Sequence, residues 1–85
     1  MNERELKIAK AILRVLNDRD GQMVEAFIHA EACLIFDEHI PLALFNSVLH
    51  ECDRSGWVIG VKSKLGRQMK WQINDVGRGA LLEMQ

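Results

Sequence analysis

The spacing of apolar residues changes near residue 56, from the three-and-four rhythm of helices to the alternation of strands. In residues 3–17, ERELKIAKAILRVLN, one face of a helix gathers Ala9, Ile12, Leu13 and Leu16. Ile8, Ala11 and Val15 widen that face, while Lys7, Lys10 and Arg14 line the opposite side. So broad an arc predicts two neighbours, a later helix and a second subunit. Residues 18–21 interrupt the pattern, and Asp20 is a candidate N-cap for a second helix over 22–35. Its buried side is expected to hold Met23, Val24, Phe27, Ile28, Leu34 and Ile35. Glu31 projects from that side, so either the helix ends or bends there or the carboxylate is paired. Pro41 suits the first turn of a third helix, where its missing N–H costs nothing. Over residues 41–54, Leu44, Phe45, Val48, Leu49 and Cys52 then share one face, and Gly56 supplies a left-handed terminus.

Beyond Gly56, WVIGVKS and MKWQI read as two strands joined through KLGR, with Gly66 in the turn. Asn74 or Asp75 then caps a last helix, VGRGALLEM, whose Val76, Ala80, Leu81 and Met84 can pack on the first helix. The expected fold is α+β, mainly α: three helices, a two-stranded β-hairpin and a C-terminal helix in one domain, residues 1–85. Two strings carry a family likeness. HECDRSGWVIGV resembles the passage of winged helix-turn-helix domains from third helix through glycine into an apolar strand. WQINDVGRGALLEM resembles the strand-to-helix string "I-T-D-x-G-R-x-A-L" of MarR- and PadR-like regulators. Ile73, Asn74, Asp75, Gly77, Arg78, Ala80 and Leu81 carry the match, with Asn74 in the threonine place. The stretch from Gly21 to Pro41 departs from the family, being long and apolar for its second helix and tight turn. The resemblance implies a winged helix whose third helix enters the major groove of duplex DNA while the hairpin grips adjacent backbone.

Charge sharpens this expectation. The formal net charge of −1 hides an excess of −4 over residues 1–56 and of +4 over residues 57–74. Lys62, Lys64, Arg67 and Lys70 supply the positive segment without an intervening acid, and are candidates for phosphate contact. Lysines also shield exposed strand edges, which competes with that reading. On the third helix, the direction opposite the core holds Ser47, His50 and Arg54 with Asn46 beside them. Asn46 can pair with adenine and Arg54 with guanine or phosphate. Glu51 and Asp53 flank this stripe and oppose DNA, so a solvated face is the competing account. Dimerisation is expected through Ile8, Ala11 and Val15 with Leu82 and Met84 of the last helix.

Other classes find less support. With 48% apolar and 27% charged residues the chain reads as an ordinary folded domain, and no window approaches the about 18 apolar residues of a membrane span. The charged start MNERELK lacks a leader's apolar core, and two cysteines do not make a disulfide framework, so a cytoplasmic protein is expected. His29 and Cys33 are four apart, but His50 and Cys52 diverge around their helix, so no zinc site, metal or other cofactor is expected. No phosphate loop, HExxH or nucleophile elbow occurs, and no enzyme is expected. Trp57 and Trp71 fit core packing better than base stacking. The alternative to a DNA-binding regulator is a winged-helix module that docks another protein through Ile35, Phe36, Ile40 and Leu42.

Overall fold

The structure, a computed structural model, describes residues 1–19, 21–62, 65–66 and 68–84. Helix α1 (Glu3–Asp18) opens with a capping box, in which Asn2 Oδ1 accepts from the Glu5 amide at 2.8 Å and Glu5 Oε1 from the Asn2 amide at 3.1 Å. It is the central helix, touching α2 (Glu25–Phe36), α3 (Leu42–Arg54), α4 (Asp75–Met84) and strand β3 (Met69–Ile73). Four neighbours explain the broad apolar arc. Ile8, Ala11 and Val15, expected at a dimer interface, are buried inside the chain itself, so this apolar arc of α1 is not spare.

The second element departs most from expectation. Met23–Val24 form a short strand, β1, and α2 begins only at Glu25, after Val24 and without a side-chain cap. Asp20, the expected cap, lies outside the described residues. With β2 (Val58–Lys62), the sheet is three-stranded and antiparallel in the order β1-β3-β2. The hairpin predicted from the sequence is therefore flanked by one more strand, which pairs Met23 with Trp71 and Val24 with Lys70. Two residues diverted into the sheet, and a left-handed Asp37 (φ 62°) closing α2, account for the unusual length of the segment before Pro41. The result is a winged-helix fold, with α2 and α3 as the helix pair and β2–β3 as the wing.

Helix α2 buries only Ile28 and Ala32; Phe27, Leu34 and Ile35, expected inside, are exposed. Glu31 is paired, its Oε1 lying 2.7 Å from Arg19 Nη2, while the Arg19 guanidinium also sits 5.2 Å from the centre of the Phe27 ring. Helix α3 follows its expected pattern, burying Phe45, Val48, Leu49 and Cys52. Gly56 adopts φ 78° beyond it, a conformation costly for any residue with a Cβ.

The joint between wing and α4 explains the string INDVGR. Asn74 Oδ1 accepts from the Gly77 amide at 2.8 Å, capping α4, and its Nδ2 donates to the Gly56 carbonyl at 2.7 Å. Gly77 lies so close to the Trp57 carbonyl that a Cβ there would collide with backbone. Helix α4 buries Leu81, and Met84 packs partly against the core; Val76, expected against α1, is exposed.

Candidate nucleic-acid interface

The polar stripe predicted for α3 is present on the surface. Ser47, His50 and Arg54 are exposed, and Asn46 is half-buried beside them. Arg54 lies 2.9 Å from Glu51 one turn back, with 75% of its side chain exposed. An ion pair so exposed stabilises by under about 1 kcal/mol, so Arg54 is free to exchange its partner for a phosphate or a base edge. Asn46 and Leu42 line an open groove of about 470 Å³ with Glu25 and Ala26 of α2 and with Gln68 and Met69 at the end of the wing. One depression therefore brings the first turns of α3 against the wing.

The cations are distributed less simply than their sequence clustering implies. Lys62 and Lys70 are exposed, whereas Lys64 and Arg67 lie outside the described residues. Lys62 pairs with Met69, and Lys70 pairs with Val61. Paired residues share a sheet face, so Lys62 lies on the side of Trp71 and Ile73 and Lys70 on the other. The two lysines flank the wing rather than forming one edge.

Several polar residues prove structural. His29 Nε2–H donates to the Ile40 carbonyl at 2.6 Å, and its ring lies 4.9 Å from Phe45 and 5.8 Å from His39. The Ile40 amide donates to Cys33 Sγ at 3.4 Å. Of the residues that raised a zinc question, His29 and Cys33 thus fasten the turn that leads from α2 into α3. Among the described residues, no three metal-ligating side chains converge. On α3, burial, reinforced by the Glu51 carboxylate, pushes the Cys52 thiol from 9.0 up to about 12, so it is held protonated and inert.

Glu25 was missed in the sequence. Its Oε1 accepts from the Trp71 indole N–H at 3.1 Å, on the edge of the α3–wing groove. The signal was indirect: a buried indole needs an acceptor, but the chain separates the two residues by 46 positions. Ile40, a candidate for protein docking, is completely buried, while Ile35 and Leu42 are exposed and Phe36 is half-buried. Of the remaining dimer candidates, Leu82 is 71% exposed and Met84 half-buried. No described helix is long and apolar enough to cross a membrane.

No family model matches the chain, and no curated protein is significantly similar to it in sequence. Solved structures resemble its fold. RosR of H. salinarum superposes with a TM-score of 0.74 at 19% identity, over 89% of this chain and 66% of the RosR chain. TA0346 from Thermoplasma acidophilum gives 0.77 at 24% identity, over 98% of this chain and 81% of its own. A transcriptional regulator from Clostridium thermocellum, Cth-833, gives 0.78 at 15% identity, over 98% and 82%. At these identities the shared property is the winged-helix architecture.

Proposed function

We propose that the protein is a small cytoplasmic transcriptional regulator of the general MarR- and PadR-like kind, binding duplex DNA through α3 and the wing. The observation that carries this reading is the groove in which Asn46 meets the wing residues Gln68 and Met69. It supports a single concave face toward which a base-reading helix and a backbone-gripping hairpin can both contribute. Asn46, Ser47, His50 and Arg54 are assigned to the major groove; Lys62 and Lys70, with Lys64 and Arg67, to the backbone. Cations on both sides of a narrow hairpin suit a minor groove, whose two walls are phosphate strands. Assembly as a homodimer through the exposed Leu82 side of α4, with Met84 beside it, would present two α3 helices to successive half-sites. Regulators with solved structures of this architecture, such as Cth-833, are consistent with the assignment.

Selection from a random duplex pool at 50 and 200 mM salt tests it. Neutralising about three to four phosphates per subunit predicts a weakening between these concentrations of roughly 40- to 150-fold for one subunit and about 10³- to 10⁴-fold for a dimer. Lys62→Glu with Lys70→Glu should abolish the complex, and Asn46→Ala should relax the selected sequence. Absence of duplex binding at 50 mM salt and 10 µM protein would overturn the assignment.

A further inference from the structure

A second concave surface lies away from α3 and the wing. It is an open groove of about 780 Å³ along the outer side of α1, closed on its other side by the end of α2. Arg4, Lys7, Lys10 and Arg14 project from α1 along one wall, and Ile35 and Phe36 supply the apolar part. Glu3 and Glu38 also line it, so the four cations outnumber the acids by two. The four cations form no ion pair among the described residues. Their spacing of three or four residues repeats along a helix face, and residues 4–14 span about 15 Å, nearly three turns.

The apolar part needs an explanation of its own. A helix that is apolar nearly all round is ordinarily buried, yet α2 leaves Phe27, Leu34 and Ile35 at the surface, Leu34 at 77%. Lysine and arginine stems beside Ile35 and Phe36 add apolar area while their charged ends stay in water. A nucleic-acid backbone would satisfy the cations and leave Ile35 and Phe36 uncovered. A purely apolar partner would cover those side chains and desolvate the cations without repaying the cost. A helix with leucines on one edge and glutamates or aspartates on the next satisfies both.

We propose that this groove is a docking site for an acidic, amphipathic helix of a partner protein. The partner's apolar residues cover Ile35 and Phe36, and its carboxylates, at intervals of three or four, meet Lys7, Lys10 and Arg14. Helix-in-groove recognition of this kind uses preformed secondary structure on both sides. The site lies on a different set of residues from the α3–wing groove, so it stands or falls separately from DNA binding.

The test uses a fluorescein-labelled 16-residue helical peptide with leucines at i, i+3, i+7 and i+10 and glutamates at the intervening surface positions. Anisotropy is measured against the whole chain, with amide chemical shifts recorded in parallel. A small interface predicts binding in the range of roughly 10–100 µM. Doubling the ionic strength should weaken it, because the contacts are exposed ion pairs. Shifts should concentrate at residues 3–14 and 35–38. Lys7→Glu with Arg14→Glu, both exposed positions, should weaken binding at least tenfold, and a lysine-for-glutamate peptide should not bind. Ile35→Ser provides an uncharged second variant and should weaken binding several-fold; melting curves of both variants should stay near that of the parent. The proposal is overturned by no binding at 1 mM, or by equal affinity of the charge-reversed variant. It is equally overturned if a short duplex moves the same amides, or if those amides shift with protein concentration alone, which would identify DNA or a second copy as the occupant.

Discussion

Helices α2 and α3 are adjacent in sequence and joined by a short turn, but they divide their surfaces in opposite ways. Helix α3 buries Phe45, Val48, Leu49 and Cys52 and, apart from the exposed Leu42 in its first turn, leaves a surface of Ser47, His50 and Arg54 suited to polar partners. Helix α2 is richer in apolar residues and buries fewer of them, with Ile28 and Ala32 inside and Phe27, Leu34 and Ile35 outside. The number of apolar residues in a helix therefore does not tell how much of it the core uses. Position relative to α1 decides that, and the surplus on α2 becomes surface available for other contacts.

The contrast is most easily broken by paired truncations. Phe45→Ala on α3 removes a fully buried ring and should cost about 3–5 kcal/mol in chemical denaturation. Phe27→Ala on α2, with the ring 44% exposed and touched by Arg19, should cost under about 1 kcal/mol. Equal costs would show that α2 is as deeply engaged as α3. Between the helices, His29→Ala leaves the Ile40 carbonyl without its donor and should cost about 1–3 kcal/mol. It should also lower affinity for any duplex selected by the parent, since that turn leads into α3.

Thiol chemistry sharpens the same comparison with a smaller effect. Cys33 of α2 is half-exposed and Cys52 of α3 is buried. A disulfide reagent should label Cys33 in the native protein and Cys52 only at the rate of unfolding. Because folding raises the Cys52 thiol from 9.0 to about 12, its contribution to stability is complete below pH 9. It declines as pH rises from 9 toward 12, where the unfolded thiol ionises and the folded one does not. Cys52→Ala should flatten this part of a stability-against-pH curve; an unchanged curve would mean another group dominates.

Much of the fold could be read from the residues themselves. Helix α3, its glycine terminus, the two wing strands and the capped α4 each obey one period bounded by strong local signals. Strand β1 left no such trace, because two residues cannot display alternation and their pairing partner lies far along the chain. The arc on α1 was legible, but its breadth was assigned to a second subunit when α2, α3, α4 and β3 together fill it. The α3 stripe was legible because helical spacing fixes direction. The faces of the wing lysines were not legible: Lys62 and Lys70 stand eight positions apart on different strands, and only the register across the turn assigns them to opposite faces.

That register has a mechanical consequence as well. Strand β3 holds β2 on one side and β1 on the other, and β1 runs directly into α2. The wing cannot peel away from the body without tearing the backbone ladder that leads into the helix pair. A load applied at Lys70 is felt at Val24, its rung partner, and so at the first turn of α2. Two rungs thus tie the base of the hairpin to the start of α2, so tension on the hairpin is passed to the helix that β1 precedes.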